Sequence, residues 1–214
     1  MEIAILLFDG TTHLDSVGPY EVLHNLPDAD VKFVAKERKV HRDKCGMLGL
    51  AADFALADVT SPDVLVVPGG GGADAASEDP MITDWVAAVH ERTAWTTSVC
   101  TGALILGGAG ILRGLRATTH WRAMGTLGDV HGAIPTTERV VREGKIITAA
   151  GVSSGIDMAL TLAAEIAGPE VAQAIQLGIE YDPQPPFDAG RFTEAPAERI
   201  AMWRAGLNKI KRPA

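Results

Sequence analysis

The sequence contains few cysteines, little positive charge and no long apolar run. Cys45 and Cys100 are the two cysteines among 214 residues, and without an export signal each is expected to stay a free thiol in the cytoplasm. The 19 Lys and Arg stand against 27 Asp and Glu, and the net charge of −8 opposes binding to nucleic acid. The short basic cluster at residues 209–212 is interpreted as a solvated tail. No run approaches the roughly 18 apolar residues of a membrane helix, so no membrane partner is predicted.

The chain does contain ample material for a buried core, since 47% of its residues are hydrophobic, and its length predicts one domain spanning 1–214. Apolar runs without alternation predict buried strands at residues 2–8, 31–35, 63–67, 94–99 and 145–149. Helical patterns lie between them at residues 19–26, 80–92 and 153–167. This alternation predicts an α/β fold with a central, mostly parallel sheet sandwiched by helices.

Smaller elements are predicted around this sheet. They are a small β-hairpin insertion at residues 139–148, a shorter antiparallel excursion at 46–54, and an ordered C-terminal segment from residue 180 that ends in a helix at 197–207.

The sharpest local feature is the sequence Ser-Val-Cys-Thr-Gly-Ala around Cys100. An apolar strand ends at Val99 and a helix of small residues follows, so Cys100 is expected at a strand-to-helix elbow, in the position of an exposed nucleophile. The N-terminus of that helix would favour the thiolate and lower the pKa of the thiol. Cys45 lies at the edge of the antiparallel excursion, next to residue 46, and is interpreted as an ordinary residue.

Four glycines, Gly69 to Gly72, follow Pro68 after the strand at 63–67. Such a loop can turn backbone N–H groups toward a ligand, and Gly70 and Gly71 are predicted to form an oxyanion hole or to bind substrate. A phosphate loop would need Lys and Ser or Thr after the glycines, where this chain has Ala73 and Asp74. A dinucleotide site and a merely flexible loop are the weaker alternatives.

Two other candidate sites are disfavoured by the order of residues in the chain. Ser153 stands in a G-x-S-x-G pattern, but a serine hydrolase of this kind needs a histidine farther along, and the last histidine is His131. The serines there are interpreted as helix N-caps. The six histidines show no metal-ligand spacing, so no metal is predicted. His120 and its neighbour Trp121 remain candidate pocket residues.

Asp15 follows the first strand and precedes the first predicted helix. The carboxyl ends of parallel strands meet at one edge of a sheet, so Asp15 can meet the Cys100 elbow in space. The alternative is that Asp15 caps that helix.

Together these features resemble the ThiJ/PfpI superfamily of class I glutamine-amidotransferase-like proteins, in which the acidic residue, the Pro-Gly-Gly-Gly loop and the elbow cysteine occur in this order. The resemblance covers nearly the whole chain and is strongest with the isocyanide hydratase branch. Four segments carry that narrower resemblance: residues 14–19, 98–103, 116–121 and 180–187.

The resemblance implies a flavodoxin-like fold, a homodimer, no cofactor, and hydration of a small isocyanide. It also implies that Cys100 is the nucleophile, Asp15 the general acid or base, and Thr101 a supporting hydroxyl and backbone donor. Peptidase and amidotransferase relatives often carry histidine where this chain has Thr101, which makes peptide hydrolysis less favoured. A redox sensor that uses Cys100 and a glyoxalase or deglycase activity remain the alternatives.

Overall fold

A computed structural model describes residues 1–206. The chain forms two compact units, Met1–Tyr181 and a second that begins at Asp182. The single domain expected over 1–214 therefore stays a prediction, and the two units are described separately. Leu207 and the basic cluster at 209–212 lie outside the described residues.

The first unit is built on a central sheet of seven strands. Its strands and those of two small sheets are β1 (Glu2–Leu6), β2 (Asp30–Ala35), β3 (Val40–Arg42), β4 (Gly49–Ala51), β5 (Phe54–Ala55), β6 (Val64–Val67), β7 (Trp95–Val99), β8 (Arg116–Ala117), β9 (Ile134–Pro135), β10 (Val140–Glu143) and β11 (Ile146–Ala149). The order across the central sheet is β10-β11-β7-β6-β1-β2-β5, and β10 alone is antiparallel to its neighbour.

Helices cover both faces of this sheet. In chain order they are α1 (Leu14–Leu23), α2 (Ala73–Ser77), α3 (Pro80–His90), α4 (Gly102–Gly108), α5 (Met124–Asp129), α6 (Ser154–Ala167) and α7 (Pro169–Gly178). The alternation of side chains along each strand divides the core in two. Ala4 and Leu6 of β1 join the cluster that packs with α3 and α4, whereas Ile3 and Ile5 join the cluster that packs with α6 and α7.

The α/β fold with a mostly parallel central sheet is confirmed, and all five predicted strands form within two residues of their expected ends. The hairpin predicted at 139–148 also forms. It is not a separate insertion, because β11 pairs in parallel with β7 and so belongs to the central sheet. The excursion begins earlier than expected, with β3 paired to β4, whereas Phe54 pairs with β2 in the central sheet.

The first helix begins at Leu14, five residues before the predicted start at Pro19. Proline usually marks the first turn of a helix, but here Pro19 lies inside α1, where its missing N–H costs the helix a single hydrogen bond. The earlier start places Asp15 in the first turn.

The second unit contains a short 3-10 turn at Phe192–Glu194 and a helix, α8 (Ala197–Ala205), which lies inside the helix predicted at 197–207. Among residues 1–206, no helix has the length and apolar character needed to cross a membrane.

Candidate active site

The strand-to-helix elbow predicted at Cys100 is present. β7 ends at Val99, α4 begins at Gly102, and Cys100 between them has φ +58°. A side chain with a Cβ rarely adopts this left-handed conformation, which costs roughly 1–3 kcal/mol and is concentrated at functional sites. The backbone strain thus supports a functional interpretation of Cys100.

The elbow does not expose the thiol. Cys100 is 4% exposed, and it packs with the core cluster that includes Val99 and Ala149. The expectation of an exposed nucleophile is therefore wrong, because the side chain packs among the strand and helix residues of this cluster.

Asp15 and Cys100 come together, as their positions at the ends of β1 and β7 suggest. Asp15 is fully buried, and its Oδ2 accepts a hydrogen bond from the Gly69 N–H at 3.0 Å. Among the described residues, the buried Oδ1 has no partner of ordinary hydrogen-bond geometry, although the carboxyl interacts with the Cys100 thiol. The position before the first turn of α1 belongs to His13, so the alternative of Asp15 as an N-cap is wrong.

Burial controls the protonation of both groups. It raises the pKa of Asp15 to about 7, against smaller opposing effects of the Gly69 N–H and the Cys100 thiol. Burial and the nearby Asp15 charge raise the pKa of Cys100 well above its usual range. The lowered thiol pKa expected from the helix N-terminus is therefore wrong. Hydrogen bonds from Thr101 do favour the thiolate, but loss of hydration outweighs them.

Thr101 connects the elbow to the glycine loop. Its hydroxyl accepts a hydrogen bond from the Gly70 N–H at 2.9 Å and donates to the Gly70 carbonyl at 3.2 Å. A Cβ on Gly69 would lie 2.4 Å from the Thr101 nitrogen, so only glycine permits this approach. Gly71 lies beside the Lys44 side chain. Sequence reasoning overlooked Gly69 as the partner of Asp15, because a run of four glycines gives no sign of which N–H faces which acceptor.

The chain is similar in sequence and in fold to proteins of one known family. The profile of the DJ-1/PfpI family matches residues 1–165. The chain belongs to the DJ-1/PfpI family. The resemblance to the ThiJ/PfpI superfamily is thereby confirmed.

Individual DJ-1/PfpI relatives agree. An isonitrile hydratase of Pseudomonas putida is 44% identical over 197 residues, which cover 92% of this chain and 86% of the relative. A solved ThiJ/PfpI family protein from Pseudomonas syringae has a TM-score of 0.90 at 39% identity, covering 97% of this chain and 86% of that one. DJ-1beta of Drosophila melanogaster, with a TM-score of 0.77 at 22% identity over 85% of this chain and 98% of its own, is alike in fold.

The other predicted residues of this DJ-1/PfpI chain lie on the segment between β8 and α5. His120 Nδ1 accepts a hydrogen bond from the Arg122 N–H, and burial, then the Arg122 charge, lower the pKa of its ring. The ring packs on Gly151, where a Cβ would lie 2.3 Å from His120 Cδ2, and it lies 5.5 Å from the Trp121 ring. Whether His120 and Trp121 line the substrate pocket stays a prediction.

The serine of the G-x-S-x-G pattern precedes α6. Ser153 occupies the N-cap position, but its side chain makes no capping hydrogen bond, and its hydroxyl instead accepts one from Arg139 at 3.3 Å. The prediction that Ser153 occupies the N-cap position is thus confirmed, but its side chain does not cap the helix with a hydrogen bond.

A cavity of about 240 Å³ is lined by residues that include Phe8, Asp9, Lys36, His41 and Gly72, the last residue of the glycine loop. Its lining includes neither Cys100 nor Asp15. Charged side chains of its lining are paired, as in the contacts of Lys36 with Asp79 and of His41 with Asp9.

Proposed function

We propose that this protein hydrates small isocyanides, R–N≡C, to N-substituted formamides. The observation that carries the proposal is the burial of the Cys100 thiol against the Asp15 carboxyl at a strained elbow. It is supported by the 44% identity to a relative named isonitrile hydratase. A thiol and one carboxyl group are sufficient for this reaction, because the isocyanide carbon needs a nucleophile and a proton.

The first step joins the substrate to Cys100. The sulfur forms a bond to the terminal carbon of the isocyanide, and the proton shared by the pair is delivered to that same carbon through Asp15. The product is a thioimidate, R–N=CH–S–Cys, and Asp15 is left as a carboxylate. No oxidant and no cofactor is needed, since the carbon gains one S–C and one C–H bond.

The second step hydrolyses the thioimidate. Asp15 takes a proton from water as the water oxygen attacks the carbon, and it passes that proton to the nitrogen. The C–S bond then breaks, the formamide leaves, and the second proton of the water returns to the pair. One water is consumed for each formamide released, and the pair again holds a single proton.

The remaining candidates support this pair. Thr101 favours the thiolate through its hydroxyl and backbone hydrogen bonds. Gly70 and Gly71 are proposed to donate to the substrate, for which the Gly70 N–H would exchange its present acceptor, Thr101. His120 and Trp121 are proposed pocket residues. The homodimer implied by the family resemblance is part of the proposal.

The alternative of a redox sensor is disfavoured by the burial of Cys100, because oxidation follows exposure and thiolate character. The test is to mix the purified protein with an aryl isocyanide and to follow formamide by chromatography, with C100A as the control. Product from the wild-type protein alone supports the proposal. No product from either protein refutes it, and lactate formed from methylglyoxal instead would indicate the glyoxalase alternative.

A further inference from the structure

The left-handed backbone at Cys100 has to be held from both sides, because a strained conformation persists only where its surroundings fix it. On the N-terminal side the Cys100 N–H donates to the carbonyl groups of Ala149 and Ala150, at 3.0 and 3.2 Å. These contacts join main-chain atoms at the end of β11, so they do not depend on the identity of any side chain.

On the C-terminal side the contact comes from a side chain. The Thr119 hydroxyl donates to the Cys100 carbonyl at 2.8 Å, and Thr119 is fully buried. The segment that carries Thr119 is itself anchored, because the neighbouring Thr118 N–H donates to the hydroxyl of Thr148 on β11 at 2.9 Å. A single buried hydroxyl thus links this segment to the elbow.

The hydrogen bond from Thr119 also affects the surroundings of the Cys100 sulfur, because it acts on a rigid peptide group. The Cys100 carbonyl and the Thr101 N–H belong to one planar peptide group and point in opposite directions, so fixing the carbonyl also fixes the N–H. The nearby Thr101 N–H lowers the pKa of the Cys100 thiol and so favours its thiolate, against the larger effect of burial. The orientation of this donor therefore depends on the partner of the carbonyl.

We propose that Thr119 is a positioning residue for the nucleophile: its hydroxyl fixes the Cys100–Thr101 peptide at the left-handed elbow and so keeps the Thr101 N–H beside the sulfur. The inference rests on the proposed function for its effect on turnover, but its effect on the thiol is independent of any substrate. Without the hydroxyl the buried carbonyl loses its hydrogen-bond donor, and the peptide loses the contact that fixes its orientation on this side.

The experiment compares Thr119→Val, which keeps the shape and removes the donor, with Thr119→Ser, which keeps the donor. All variants carry Cys45→Ser, so that iodoacetamide reports on Cys100 alone. The matched control is Thr97→Val, since Thr97 is also fully buried and its hydroxyl also donates to a carbonyl, that of Leu65, at 3.1 Å. The readouts are kcat and KM for an aryl isocyanide and the alkylation rate from pH 6 to 10.

We expect T119V to lower kcat roughly 10- to 100-fold with KM within about threefold, and to shift the alkylation profile to higher pH. T119S and T97V should keep kcat and the alkylation profile within about threefold of the parent. A folded T119V with the parent's alkylation profile would overturn the proposal, as would an equal loss of kcat in T97V. Thr119→Ala removes the same donor and gives the same test should T119V not fold. If the parent itself makes no formamide, the proposed function fails, and the alkylation profiles still decide the role of Thr119.

Discussion

The two cysteines of this chain show opposite ways of placing a thiol. Cys45 is exposed in the loop between β3 and β4, and a Cβ added to its neighbour Gly46 would meet nothing within 4 Å. Cys100 is buried, is held at φ +58°, and shares its surroundings with Asp15 and Thr101. Accessibility alone would select Cys45 as the reactive residue. The comparison teaches that partners and backbone strain, rather than exposure, are the features on which the proposed role of Cys100 rests.

The largest expected effect comes from replacing each of the two cysteines by serine in separate variants. Cys100→Ser should lower formamide formation by roughly 10³-fold or more, because the hydroxyl is a far weaker nucleophile with only a carboxylate to activate it. Cys45→Ser should leave turnover unchanged. Steady-state assays on the two variants check this difference, and comparable losses in both would remove the distinction between the two sites.

The next effect concerns the carboxyl partner of Cys100. Asp15→Asn keeps an oxygen for the Gly69 N–H but cannot transfer a proton, so kcat should fall roughly 10²- to 10⁴-fold. Asp53→Asn, which changes an exposed carboxyl, serves as the control and should retain full activity. Near-normal turnover in D15N would show that Asp15 is not the acid or base.

The same substitution should stabilise the protein at alkaline pH. Because the pKa of Asp15 is raised from 3.8 to about 7, its ionisation costs the folded state roughly 4 kcal/mol. This contribution to stability is fully present below about pH 4 and is lost as the pH rises through about 7. Asn resembles the neutral acid. The free energy of unfolding of D15N should therefore exceed that of the wild type by up to about 4 kcal/mol at pH 8, and the two should be equal near pH 4. Urea unfolding at both pH values measures the difference, and a D15N protein that is no more stable at pH 8 contradicts the burial argument.

A smaller effect is expected at the glycine that holds Asp15. Gly69→Ala would place a Cβ 2.4 Å from the Thr101 nitrogen and should destabilise the fold by about 2–3 kcal/mol. Gly178→Ala is the matched control, because nothing lies within 4 Å of its added Cβ, and it should change stability by less than about 0.5 kcal/mol. Equal thermal shifts in the two variants would show that the glycine loop is not tightly packed against the elbow.

The sequence predicts the positions of five strands of a mostly parallel sheet. It also predicts the meeting of Asp15 with Cys100, because the carboxyl ends of parallel strands share one edge of the sheet. The order of the strands across the sheet comes from the structure. It does not predict the burial of Cys100, which depends on segments distant in the chain that cover the elbow. The direction that the sequence predicts for the pKa shift of the thiol is therefore wrong. The contact of Thr119 with the Cys100 carbonyl escapes sequence reasoning for the same reason, since 19 residues separate the two.

The most direct test of the central claim, that Cys100 and Asp15 react as a pair holding one proton, is the pH dependence of kcat/KM for an aryl isocyanide between pH 5 and 9.5. Below about pH 7 the pair gains a second proton and cannot form the thiolate, so kcat/KM should rise with pH, with a midpoint near 7, and then stay level. Cys45→Ser should give the same profile. A value of kcat/KM that is constant from pH 5 to 9.5, or that falls above pH 7, would contradict the account.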